Sequence, residues 1–217
     1  MASPKRWRPA TLLLLVAAIC YSILLFFIAS WLPLLTKKAA AALTWAVYSQ
    51  IVKGLVTFLA VVFAYIAFIK WPSLKNRWLF LLNLALFSAA TWHFISRLGD
   101  SVNEYIHYPQ YGTLVILWYV FLKKTINDGV KIPLRLPGRF SGPGVPAVVV
   151  AGLLGICEEA SQFLIPLRVF DLQDILLNFM GIWFGVLIIR LFEMNSLFGE
   201  APRFVPRADV DKGLSGR

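Results

Sequence analysis

His107 stands three residues after Glu104 and four before Tyr111 in the string EYIHYPQYGTL. A second polar series, Glu159, Gln162, Arg168, Asp171, Asp174 and Asn178, followed by Gly181 and Gly185, runs through EEASQFLIPLRVFDLQDILLNFMGIWFG. Imidazole beside carboxylate is a pairing that moves protons near neutral pH. In that chemistry Glu104 and His107 form the proton-transfer pair, Glu159 or Asp174 is a second general base, and Arg168 clamps an anion or headgroup. Tyr111, Gln162, Asp171 and Asn178 are the candidate substrate contacts. No nucleophile elbow, phosphate loop or complete metal-ligand motif accompanies them. A histidine among several carboxylates leaves metal dependence open, and nothing in the pattern specifies a cofactor.

Spacing places these groups on helix faces. Positions 171, 174, 178, 181 and 185 are separated by 3, 4, 3 and 4 residues, which on a helix makes one stripe descending from acid to amide to glycine. Gly181 and Gly185 form a small-xxx-small pair that lets a second helix approach closely. Glu159 and Gln162 lie one turn apart, so three helices each present a polar edge to a common cleft. Structural roles compete at several positions. Asp171 and Asp174 suit the first turn of a helix, where an acid caps or opposes the dipole. Arg168 serves as ion-pair partner to the acids, and Asn178 can simply bond another helix. Pro109 suits a helix start, which would leave Glu104 and His107 in a preceding loop. His93 reads as a packing or interfacial residue, and Lys53 as a snorkelling one.

Such groups need elements to hold them, and the composition says which kind. Hydrophobic residues make up 59% of the chain, charged residues 15%, and the mean hydropathy is +0.72. That balance describes an integral membrane protein of all-α class, a polytopic helical bundle. The net charge of +10 sits in short basic clusters between apolar runs, a pattern of topology and anionic headgroups and not of nucleic-acid binding. Two cysteines, both in apolar segments, make no disulfide framework.

Six segments approach the roughly 20 apolar residues of a spanning helix: Ala10 to Leu35, Ile51 to Trp71, Trp78 to Leu98, Tyr108 to Leu122, Val145 to Phe163 and Asp174 to Phe192. The first is too long for a removable signal peptide and lacks a small-residue cleavage pattern, so it is expected to be retained. Lys37 to Gln50 reads either as an interfacial helix or as an extension of the second span. The chain thus divides into an N-terminus at 1–9, three spans at 10–98, a core of three more at 99–192 and a polar tail at 193–217. Counting flanking basic residues puts sixteen Lys and Arg on one side and five on the other, so both termini are expected to be cytoplasmic. The polar ends of the helices then converge on the outer leaflet.

At these residues the chain resembles the VanZ-like family of small bacterial membrane proteins. The resemblance lies in EASQFLIPLRVFDLQDILLNFMGIWFG and EYIHYPQYGTL, and the chain departs from the family pattern at Pro109 and Gln110. It implies a small helical bundle in the cell membrane whose characteristic polar positions are Glu104, His107, Tyr111, Glu159, Gln162, Arg168, Asp171, Asp174 and Asn178. One member of that family is associated with teicoplanin resistance, and the family has no settled reaction. The function class expected is therefore an outer-leaflet site that binds or modifies a lipid-linked or cell-envelope component, with membrane lipids as partners. A non-catalytic structural or partner-binding protein is the alternative, and a proton-coupled transporter a weaker one. Substrate, enzyme status, organism and oligomeric state are not specified by the residues.

Overall fold

The computed structural model describes residues 7–74, 76–98, 102–130, 142–164 and 171–192. Six α-helices carry these segments: α1 (Pro9–Leu43), α2 (Trp45–Lys70), α3 (Arg77–Leu98), α4 (His107–Asn127), α5 (Gly144–Ser161) and α6 (Leu172–Phe192). Each of the six apolar segments expected from the sequence coincides with one helix. No strand occurs among the described residues.

The differences lie at helix ends, where hydropathy and helix propensity part company. α1 continues past Leu35 through Lys37, Lys38 and four alanines, all good helix formers, and stops at Thr44, whose φ of 63° breaks the run. The segment from Lys37 to Gln50 is consequently no separate interfacial helix: it is shared between the end of α1 and the start of α2. α4 likewise outlasts the apolar run ending at Leu122 and includes Lys123 and Lys124. Lys124 reaches Asp128, one helical turn on, at 3.3 Å. Pro109 sits in the first turn of α4, where its missing N–H has no intrahelical acceptor to lose.

α4 and α6 form the closest-packed pair; α1 and α5 lie against α4, while α2 and α3 lie against α6. One core cluster centres on Tyr111, Leu114 and Val115 of α4 with Ala147 and Ala151 of α5. A second joins Phe80 and Phe87 of α3 to Met180, Leu187 and Leu191 of α6. α6 is thus apolar on nearly every side because it is buried on two of them. The glycine and amide stripe faces α4, and Leu177 and Ile182 flank it fully inside.

The outer surface is apolar. α2 buries no residue, and large side chains such as Phe68, Trp78 and Trp92 are mostly exposed. Water would not tolerate that much contiguous hydrocarbon. Four stretches are long and apolar enough to cross a bilayer: Pro9–Ile28, Trp45–Ser73, Gly144–Leu164 and Leu172–Phe192. α3 and α4, of 22 and 21 residues, have the length but carry more polar groups.

Basic residues gather at one end of the bundle. Arg8 before α1 and Lys124 of α4 both contact Asp128, and Lys70 at the end of α2 lies 5.9 Å above the Phe192 ring at the end of α6. The start of α4, the end of α5 and the start of α6 lie at the opposite end, where the sequence concentrates its candidate site residues. The Pro- and Gly-rich loop before α5 falls mostly outside the described residues, as does the tail at 193–217.

Candidate functional site

A glycine crossing sets the distance between α4 and α6. A methyl group added at Gly185 would overlap Val115 and lie 2.6 Å from the Gly112 carbonyl oxygen. At Gly181 it would overlap the His107 carbonyl and lie 2.8 Å from Tyr111 Cβ. The small-xxx-small pair read from the sequence therefore faces α4, with Gly112 as its counterpart. Because the backbones touch here, side chains one turn above Gly181 meet those at the start of α4.

The first such meeting is His107 with Asn178, Nδ1 to Oδ1 at 2.6 Å. Asn178 Nδ2 donates to the Gly155 carbonyl of α5 at 3.4 Å, which orients the amide so that its oxygen faces the imidazole. His107 Nδ1 is then the protonated nitrogen, and Nε2 points the other way, toward Glu104 Oε2 at 3.6 Å. Glu104 sits in a short 3₁₀ turn, Val102–Ile106, directly before α4. Asp174 lies one turn above Asn178, and one donor atom each from Glu104, His107 and Asp174 fall within 4.8 Å of one another. The His107 and Glu104 side chains are 15% and 23% exposed, so this cluster is open to a ligand while held by the bundle.

Beneath it lies a closed half. The Tyr111 ring stacks on His107, with centroids 6.3 Å apart and planes 9° from parallel. Its hydroxyl donates to Glu158 Oε2 at 2.9 Å, and Gln162 Nε2 donates to Glu158 Oε1 at 3.3 Å. Glu158, Gln162, Asn178 and Glu159 are all buried. Gly155 permits this approach, since a Cβ there would lie 3.0 Å from the Tyr111 ring and 3.3 Å from Asn178 Cβ.

The structure thus brings Glu104, His107, Tyr111, Gln162, Asp174 and Asn178 to one end of the bundle. Glu159, the residue after Glu158 in α5, is buried as well. Asp171 is exposed and works as a cap: its Oδ1 accepts the Gln173 N–H at 2.8 Å and its carbonyl the Asp174 N–H at 3.2 Å. Arg168 lies outside the described residues. Glu158 is the member that spacing alone passes over, because Glu159 and Gln162 lie one turn apart and claim the attention. Its own four-residue separation from Gln162 was the available signal.

An apolar crevice is lined by chain neighbours of the cluster residues. A 150 Å³ cavity between α2, α3 and α4 is lined by Tyr105, Tyr108 and Pro109, the residues flanking Glu104 and His107. It shares Ala60, Phe87 and Phe184 with a 600 Å³ cleft that continues between α2, α3 and α6 as far as Trp71 and Phe80. From Val56 to Trp71 along α2 the two extend roughly 22 Å, most of the ~30 Å hydrocarbon core of a bilayer.

An all-helical bundle with an apolar exterior and an internal polar network at one end defines a helical membrane protein. The chain belongs to the VanZ/LLP1 family, whose sequence profile matches residues 11–193. That match runs from the first turn of α1 to just past α6 and contains both halves of the network. Neither the curated proteins nor the solved structures include a significant match.

Proposed function

We propose that this protein is a six-span membrane protein, with both termini cytoplasmic, that captures or modifies an amphiphilic, lipid-linked component of the cell envelope at the outer leaflet. The observation that carries the reading is the half-open Glu104, His107 and Asp174 cluster, whose chain neighbours Tyr105, Tyr108 and Pro109 line an apolar crevice. A polar headgroup would meet the cluster while its hydrocarbon chain follows α2 past the stacked rings of Phe87 and Phe184. The orientation is supported by the basic residues at the other end, which suit the cytoplasmic face. His107, with Glu104 beside Nε2, is the group placed to exchange a proton with a bound headgroup.

A second, structural role has its own observation. Tyr111, Glu158 and Gln162 satisfy one another out of reach of solvent, so this lower half locks α4 to α5. The ligand site is accordingly the upper half alone. A polar cluster confined to one end gives little support to transport through the bundle.

The test is photo-crosslinking of a polyprenyl phosphate carrying a diazirine in its chain to the full chain in nanodiscs. Labelling is expected on Phe87, Phe184 or the facing residues of α2, and to fall several-fold in His107→Gln and Asp174→Asn variants that keep wild-type thermal stability. Labelling spread evenly over the lipid-facing helices, unchanged in both variants, would overturn the reading.

A further inference from the structure

We infer that Glu104, His107 and Asp174 form a binding site for a divalent transition-metal ion. The inference rests on reading the half-open cluster as the ligand-binding end of the bundle, and it adds what the cluster itself holds. Asn178, oriented by the Gly155 carbonyl, accepts from His107 Nδ1, so Nε2 is the ring atom turned toward Glu104, 3.6 Å away. Asp174 brings a second carboxylate into the same small volume. Two carboxylates and an imidazole nitrogen drawn this close are a donor set that a cation can bridge, turning the repulsion between the two acids into attraction to it.

The surroundings favour a metal over a proton shared within the cluster. Metal-bound histidine commonly donates its second ring N–H to a fixed acceptor, which sets the tautomer and ring orientation. Asn178 occupies that position and is itself buried and anchored. The Tyr111 ring stacked on the imidazole further restricts its rotation. Glu104 and His107 are placed by a 3₁₀ turn running directly into α4, and Asp174 by the capped first turn of α6, so all three donors sit on the ends of packed elements.

The donor set selects the class of ion. One imidazole nitrogen and two carboxylates suit Zn²⁺, Mn²⁺ or Fe²⁺; soft Cu⁺ prefers sulfur, and Ca²⁺ takes 6–8 oxygens. Three protein donors also leave coordination positions open, as in sites where a metal meets a phosphate or a water.

The experiment uses the full chain in nanodiscs of zwitterionic lipid, stripped with chelator and titrated with Zn²⁺ and Mn²⁺ by calorimetry, with elemental analysis of the washed sample. One equivalent is expected, weakened at least tenfold in Glu104→Gln, His107→Gln and Asp174→Asn, and about 10–100-fold in Asn178→Ala, a positioning residue. His93→Gln, which removes the other histidine, should leave the affinity unchanged. For variants that do not fold, the wild-type protein decides: bound Mn²⁺ should show magnetic coupling to a single imidazole nitrogen by pulsed electron paramagnetic resonance. No stoichiometric binding, binding that follows His93, or Mn²⁺ without nitrogen coupling would each overturn the site. Because no lipid-linked probe is present, metal binding and chain capture fail or succeed separately.

Discussion

Replacing Gly181 with alanine should damage the fold and the site together, because the position spaces α4 from α6. The added methyl would overlap the backbone carbonyl of His107 and lie 2.8 Å from Tyr111 Cβ, about 0.6 Å inside the 3.4 Å where ordinary carbon contact begins. Neither neighbour is the far end of a flexible side chain, so α4 must retreat as a body. Overpacking of this kind costs roughly 1–3 kcal/mol. A retreat of that size would also stretch the 2.6 Å contact between His107 and Asn178 toward the 3.2 Å limit of a good hydrogen bond. Gly54, in α2, provides the comparison, since a methyl there meets nothing within 4 Å. Alanine at Gly54 should be neutral or stabilising, by up to about 1 kcal/mol. Thermal unfolding of both variants in one detergent measures the difference, and cross-linking to the polyprenyl phosphate probe reports the site. A Gly181→Ala protein as stable as the Gly54→Ala protein would show that the helices are not held at this distance.

Three further outcomes follow from other contacts. Tyr111→Phe should cost roughly 1.5–3 kcal/mol, because it removes a hydrogen bond to a buried carboxylate. In a double-mutant cycle with Glu158→Gln the two changes should be strongly non-additive, and strict additivity would dissolve the proposed lock. Asp128, past the end of α4, is held below the usual carboxylate range by the Thr11 hydroxyl, then by Lys124 and Arg8, against the opposing effect of burial. Its contribution to stability is therefore complete above the unfolded value of about 3.9 and is lost as pH falls through the lower folded value. Asp128→Asn should flatten the acid limb of a stability–pH curve, and an unchanged limb would remove Asp128 as its cause. Elsewhere, the His107→Gln and Asp174→Asn variants should lose chain capture with stability intact, whereas Glu158→Gln should lose stability first.

The helices were legible because apolar runs of spanning length have few other ways to fold, and the site because its residues recur every three or four positions. Gly181 and Gly185 announced a close approach, and Asp171 a cap, from local pattern alone. Three things were not legible. Helix ends were lost wherever lysine or alanine continued the backbone without hydropathy, as at Lys37 to Leu43 and at Lys123 to Asn127. Glu158 was obscured because adjacent acids differ by only 100° on a helix, too little for periodicity to choose between them. The crevice is lined by Phe87, Phe184 and Ala60, residues of three helices remote in the chain, and no local pattern reports a gap between them.

The position of α6 bears on how the bundle comes together in time. Of the six described helices it is the last to be synthesised, yet it lies in the middle, touching α2, α3, α4 and α5. The five described helices made before it cannot complete their packing until α6 is in place between them. Asp174 and Asn178 arrive with it, so the His107–Asn178 contact and the Glu104, His107 and Asp174 cluster form only once α6 has been made.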